Sequence, residues 1–331
     1  MIFLFYLFIF FGGSAIGSFL NVVICRLETG EDIVKKHSHC QKCGQILAWY
    51  DLIPIVSFFL LRGRCRDCKE KISWQYPLVE AATGLMFLLI FFNPPSPLLE
   101  GGGNAFTPLV KGGAGGLDFI VLCFMLYVTC SLIVIFVYDL RRYLIPDKVL
   151  FPAIGAMLAY RIFIAFANFS PPSPLLEGGG NAFTPLVKGG AGGLSYFGSF
   201  FLSAFVAAAF FLFLVLITHG RGMGIGDIKL SFLLGLILGW PQILIALFLA
   251  FFMGAVIGIF MIYGPPASAW LRQVLNFLPK NSSPAPPIFG ANWKKTMKSK
   301  IPFGPFLIAG ALIALFWGQR MIDFYRSFSI Y

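Results

Sequence analysis

Long apolar stretches, each closed by a polar or Gly/Pro-rich break, make up most of this chain. They run over about 2–25, 76–92, 118–138, 149–168, 195–218, 228–239, 242–263 and 303–319. All but 228–239 reach 17 residues, the lower end of what an α-helix needs to cross a hydrocarbon core about 30 Å thick. The pattern predicts an all-α polytopic membrane protein with about eight transmembrane helices, 228–239 being the least secure. The first run has no basic stretch before it and no small-residue cleavage site, so it reads as a retained helix rather than a signal peptide. Composition agrees: 58% of the 331 residues are hydrophobic and 12% charged, with a mean hydropathy of +0.83. A soluble fold cannot hide that much apolar surface.

Charge orients the helices. A net +11 would suggest nucleic acid in a soluble chain; here its distribution points to the membrane instead, and no nucleic-acid partner is expected. The segments 26–76, 139–148, 219–229 and 264–302 hold twenty of the 25 Lys and Arg residues. By the positive-inside rule they face the cytoplasm and the N-terminus lies outside, as expected of a multi-pass membrane protein. Residues 94–117 and 171–194 are identical, PPSPLLEGGGNAFTPLVKGGAGGL. A perfect Gly/Pro-rich pair reads as a duplicated insertion in two outer loops, where few contacts are disturbed. The expected organisation is a first transmembrane helix (1–25), a cytoplasmic four-cysteine domain (26–76) and a membrane domain (77–331) carrying the two insertions.

The loop 26–76 contains Cys40-Gln-Lys-Cys43 and Cys65-Arg-Asp-Cys68. Two residues between cysteines let both thiolates of a pair reach one ion, and two pairs complete a tetrahedron. Structural Zn²⁺ held by Cys40, Cys43, Cys65 and Cys68 is the expectation; two disulfides, free thiols or an iron–sulfur cluster are the alternatives, and a cytoplasmic location argues against disulfides. Cys25, Cys123 and Cys130 lie in or beside apolar runs and read as packing residues. Between the pairs, Trp49-Tyr-Asp-Leu-Ile-Pro-Ile-Val-Ser-Phe-Phe-Leu-Leu61 is too short to span and is expected to pack on the membrane or on the metal domain.

Two acids stand at the ends of apolar runs. Asp139 closes 118–138, and Asp227 precedes 228–239 within Gly222-Met-Gly-Ile-Gly-Asp-Ile-Lys229. A carboxylate at a membrane helix centre costs roughly 2.5–3.5 kcal/mol and less near an end, so it is usually retained for a function. Both fall on the predicted cytoplasmic face. Two carboxyls that share one proton can hydrolyse an amide: the ionised one takes a proton from water while the protonated one polarises the carbonyl. The bland reading is a helix cap at each site. Gly222, Gly224 and Gly226 are expected to give the backbone conformations closed to other residues and to let another chain approach closely. Asp147 reads as the N-cap of the following helix. Lys229 either tunes Asp227 or marks the inner interface. Glu80, within 76–92, is an acid that could serve a cofactor site or pair with a loop arginine. Three histidines, His37, His39 and His219, make His-based catalysis a poor fit. A proton-coupled transporter would need charge at mid-membrane depth, and only Glu80 and Arg161 offer it. A non-catalytic assembly protein would not need both aspartates.

Taken together, Gly17-Ser-Phe-Leu-Asn-Val-Val-Ile-Cys-Arg26, the four cysteines, Trp49-Tyr-Asp-Leu-Ile-Pro54, Tyr76-Pro-Leu-Val-Glu80, Asp139 with Ile145-Pro-Asp147, Gly224-Ile-Gly-Asp227 with Lys229, and Ile301-Pro-Phe-Gly-Pro-Phe306 resemble the bacterial type IV prepilin peptidases of the Gly-x-Gly-Asp aspartic class. The resemblance implies Asp139 and Asp227 as the catalytic pair, with Gly224, Gly226, Lys229 and Asp147 as active-site support. It implies prepilin or pseudopilin substrates cut after a glycine at the end of a short basic leader. Members with the four-cysteine loop commonly also methylate the new N-terminal residue from S-adenosylmethionine, so 26–76 is expected to be linked to methylation and 77–331 to proteolysis. No residues are assigned to S-adenosylmethionine, and a peptidase without methylation is the nearest alternative.

Overall fold

A computed structural model describes residues 2–30, 32, 37–40, 42–93, 115–167, 192–219, 223–263 and 302–328. The described residues are helical apart from the cysteine loop and short links. Helix α1 is Ile2–Thr29; after the cysteine loop, with a 3-10 turn at Trp49–Leu52 and a short α2 at Val56–Leu60, come α3 (Gln75–Phe92), α4 (Gly115–Arg142), α5 (Asp147–Ala167), α6 (Gly192–Ile217), α7 (Ile225–Leu238), α8 (Gln242–Tyr263) and α9 (Gly304–Phe328). Seven of these are long and apolar enough to cross a membrane; α7 is not among them. Its 14 residues rise only about 21 Å. The identical insertions 94–117 and 171–194 lie outside the described residues except for their last three, 115–117 and 192–194, which open α4 and α6. The expected loop 264–302 lies almost wholly outside them.

Several helices outrun the apolar stretches that predict them. Backbone hydrogen bonding does not stop where apolar residues do, so α4 continues through Asp139, Arg141 and Arg142, and α9 through Arg320 and Arg326. Tyr143 ends α4 in a left-handed conformation (φ 57°), its N–H donating to the Asp139 carbonyl at 2.8 Å. Glycine usually takes that position.

The chain divides into two compact units. The first holds α1 to α4, with the cysteine loop and the end of α8 from Met253; the second holds α5, α6, α7, α8 as far as Phe252, and α9 from Phe306. In the first unit α1 lies tightly along α3. A Cβ on Gly13 would come within 3.0 Å of the Gly84 Cα, and one on Gly17 within 2.8 Å of the Glu80 Cα. This is small-residue packing, in which van der Waals contact between backbones replaces the hydrophobic drive that lipid does not supply. In the second unit α7 lies against α6, with Gly235 directly on the backbone of Ala204.

The far end of α7 explains a charge that the sequence leaves unexplained. A helix that stops short of the bilayer surface leaves carbonyls with no water to bond. Arg161 of α5 is 2% exposed and donates from Nε to the Leu236 carbonyl (3.1 Å) and from Nη2 to the Ile237 carbonyl (2.9 Å). Its guanidinium lies 3.4 Å from the centroid of Phe200, and Ser203 Oγ donates to the Gly235 carbonyl at 2.8 Å. Arg161 is therefore a helix cap inside the second unit.

Candidate active site and metal centre

The cysteine loop forms two matching knuckles. Cys40 N–H donates to the Gln45 carbonyl (2.9 Å) and Gly44 N–H to the Cys40 carbonyl (2.9 Å); Cys65 N–H donates to Glu70 (2.8 Å) and Lys69 N–H to Cys65 (3.2 Å). Antiparallel bridges His39–Ile46 and Arg64–Lys71 close the two hairpins. Gly44 (φ 72°) and Lys69 (φ 58°) occupy equivalent left-handed positions. All four Sγ atoms lie within 4.8 Å of one another, with Cys40 and Cys68 3.9 Å apart, and all four are free thiols. Zn–S bonds of about 2.3 Å in a tetrahedron separate the sulfurs by about 3.8 Å, so the cluster fits a zinc site.

Protons are shared unevenly within the cluster. Partial burial raises the Cys40 thiol, but backbone hydrogen bonds from Cys43 and Lys42 and side-chain hydrogen bonds with Cys43 and Cys65 outweigh it and bring it down to about 7. For Cys68 the backbone hydrogen bond from Glu70 lowers the thiol, while desolvation and the side-chain hydrogen bonds with Cys65, Cys43 and Cys40 push it up to about 12.

The two aspartates belong to different units. Asp139 lies in the last turn of α4, in the first unit, and is 4% exposed; Asp227 lies in the first turn of α7, in the second, and is 8% exposed. Asp227 Oδ2 accepts the Gly224 N–H at 3.1 Å, so it caps its own helix as well as standing at its end. A carboxylate there is favoured by the helix dipole, and one in the last turn of a helix is opposed by it. The dipole of its own helix therefore disfavours an ionised Asp139 and favours an ionised Asp227.

The residues read as active-site support are held as follows. Lys229 Nζ binds Asp147 at 2.9 and 3.1 Å and lies 5.0 Å from the Phe151 ring centroid. This ties the start of α7 to the start of α5, and it means that Asp147, the first residue of α5, spends its carboxylate on Lys229 rather than on capping. The glycine expectation changes too. Gly224 has φ −89° and ψ 157°, which any residue adopts, and Gly226 is helical, outside the positive-φ set. A Cβ on Gly224 would meet nothing closer than the Gly226 nitrogen at 3.8 Å. Backbone strain is therefore not the reason for Gly224; open space beside Asp227 remains as one. Gly222 lies outside the described residues.

Two polar assemblies of the first unit escape a reading of the sequence. Glu80 is held within the first unit: its Oε2 accepts the backbone N–H of Ile55 at 2.7 Å, and the Ser18 side chain also hydrogen-bonds it. Beside Asp139, Arg141 binds buried Glu28 of α1 (Nε–Oε1, 2.9 Å) and donates from Nη1 to Gln75 Oε1 of α3 (2.7 Å). Arg142 adds a 3.3 Å contact to Glu28 Oε2, and Gln75 passes the network to Asn21. The Asp139 end of α4 is thereby fixed to α1 and α3. Glu28 gave no signal in the sequence because it stands beyond the apolar run that defines its helix.

A helical membrane protein with a four-thiol centre and two buried acids at helix ends is the class that these features define. The Bacterial Peptidase A24 N-terminal domain model matches residues 11–93, and the Type IV leader peptidase family model matches 126–259. The chain belongs to the type IV leader peptidase family. It is 34% identical over 260 residues to the prepilin leader peptidase/N-methyltransferase of Myxococcus xanthus, an alignment covering 78% of this chain and 64% of that protein. Proteins with the same description from Pseudomonas aeruginosa (26% identical; 96% of this chain, 92% of that one) and Bacillus subtilis (27%; 98% of each) align over nearly their whole length. No solved structure matches the chain.

Proposed function

We propose that this protein removes the leader of type IV prepilins or pseudopilins by aspartic hydrolysis, with Asp139 and Asp227 as the catalytic pair, and then N-methylates the new N-terminus. The observation that carries the reading is that the match to the peptidase family, 126–259, contains both buried aspartates. Only four residues, 143–146, separate the helix that carries Asp139 from the helix whose first residue, Asp147, is bound to Lys229 beside Asp227.

In the proposed reaction the ionised carboxylate takes a proton from water, and the water oxygen attacks the scissile carbonyl. The protonated carboxyl hydrogen-bonds the carbonyl oxygen as charge develops there. The C–N bond then breaks and the amine leaves with a proton. Open space at Gly224 would let an extended substrate pass close to Asp227. The positive-inside pattern of the basic segments supports a cytoplasmic face for both acids, where a soluble leader would wait while its apolar helix stays in the membrane.

Cys40, Cys43, Cys65 and Cys68 would hold Zn²⁺, which supplies structural cross-linking of the loop and no open coordination position. We read 26–76 as the part linked to methylation and 77–331 as the peptidase. S-adenosylmethionine would be the methyl donor; no residue of the chain is assigned to it.

The test is incubation of the purified full-length protein with a prepilin, read by mass. Loss of the leader, and a further gain of one methyl group only when S-adenosylmethionine is present, is the expected result. An unchanged prepilin under conditions where a relative cleaves it overturns the reading.

A further inference from the structure

We propose that the segment 46–60, together with Trp74, is a foot by which the four-cysteine loop rests in the lipid headgroup–acyl boundary. The inference rests on the membrane placement of α3 and not on the peptidase reading. The segment has two faces. Phe58 turns inward: it is 7% exposed, its ring centroid is 4.9 Å from that of Trp74, and Gly63 leaves room beneath it. Ile46, Trp49, Phe59 and Leu60 turn outward, 61%, 78%, 59% and 77% exposed. In water that surface would be costly, since four large apolar side chains are left uncovered in one short segment.

Its height along α3 says what covers it. Trp74 immediately precedes α3, a span that begins at Gln75, so its ring marks the level at which that span leaves the hydrocarbon, where Trp is enriched. Phe59 lies 6.1 Å from the same ring. Ile55 reaches further. Its N–H donates to the side chain of Glu80, whose Cα stands about 9 Å further along α3 than that of Trp74; helical side chains lean back toward the N-terminus, so Ile55 lies between those two levels. Ile55 itself is the centre of a tight three-residue turn (φ 62°, ψ −51°) in which the Val56 N–H donates to the Pro54 carbonyl, a conformation uncommon for a β-branched residue. The chain is thus bent into the membrane and held there. Directly after the foot come exposed Arg62, Arg64, Arg66, Lys69 and Lys71, outnumbering exposed Asp67 and Glu70 and leaving a net positive run of the kind that an anionic lipid surface attracts. One of them, Arg66, also binds Asp51 (2.6 Å) and lies over Tyr50, joining the second cysteine knuckle to the foot. Lipid accounts for the height, the apolar face and the adjoining charge together.

The full-length protein is placed in nanodiscs of phosphatidylethanolamine and phosphatidylglycerol whose acyl chains carry bromine. Trp49 emission is isolated as the difference between the wild type and Trp49→Phe, a substitution that keeps an aromatic ring. The expected result is loss of the Trp49 emission to the lipid bromines and no loss to aqueous iodide. The same outcome is expected when the reporter is moved to the other end of the foot by adding Leu60→Trp to Trp49→Phe. Quenching by iodide and not by bromine overturns the proposal. Protection from both also overturns it, and assigns the face to a protein occupant, whether a second copy or the substrate.

Discussion

The four-cysteine cluster and the proposed aspartate pair are different kinds of site. All four thiols come from one stretch of 29 residues, within one compact unit, and two hairpins with the same hydrogen bonds bring them together. The aspartates stand 88 residues apart, on two helices in two units, and each is held by its own neighbours: Asp139 beside the Arg141–Glu28–Gln75 network, Asp227 at the head of a helix capped at its far end by Arg161. A local site is stabilised by its own turns and its ligand. A dispersed site depends on whatever fixes each helix, so residues far from the chemistry bear on it.

Substitutions can break that comparison or sharpen it. The largest separation is expected from Cys65→Ser, which removes the buried ligand of the cluster. Bound zinc and methylation should be lost while leader cleavage persists, read as metal content and product mass. Cleavage falling as far as methylation would mean that the loop is not an independent part. Arg141→Ala should follow, since it leaves Glu28 buried with a weakened pairing. Loss of one partner of a buried pair costs about 3–5 kcal/mol, and retained Arg142 should reduce that. The thermal midpoint in detergent should fall and cleavage with it, and Arg141→Lys should recover part of both. Arg161→Leu should cost roughly 1–3 kcal/mol for each of the two carbonyls it orphans. Lowered thermal stability with normal zinc content would confine its effect to the second unit. Lys229→Ala removes a bridge whose side chains are 33% and 56% exposed. Such pairs contribute at most about 1 kcal/mol, so stability should barely change, and a large fall in cleavage would give Lys229 a part in the reaction.

How much could be read from the sequence follows the same division. The cysteine pairs, the apolar runs and the acids at their ends are local patterns, and they predicted the four-thiol cluster and the long helices. The ends of those helices were less legible, because hydrogen bonding carries α4 past its last apolar residue to Arg142 and a tyrosine, not a glycine, turns it off. Arg161 and Glu80 were visible as charges inside spans, but what places them includes main-chain groups, the carbonyls of α7 and the N–H of Ile55. Backbone partners leave no trace in residue type. Gly224 misled for the opposite reason: its residue type suggested strained backbone, and its conformation is ordinary. Lys69 matches Gly44 in conformation and not in identity, so the likeness of the two knuckles shows only in three dimensions.

The most direct test of the central claim is cleavage of a prepilin by wild type, Asp139→Asn, Asp227→Asn and the double variant, each shown to be folded by its thermal transition. Asn keeps the shape of each side chain and removes its titration. Two carboxyls acting as one unit predict a loss of about 10²–10⁴-fold for either single variant, with the double variant little worse than the singles. Near wild-type cleavage by either single variant would contradict the pair.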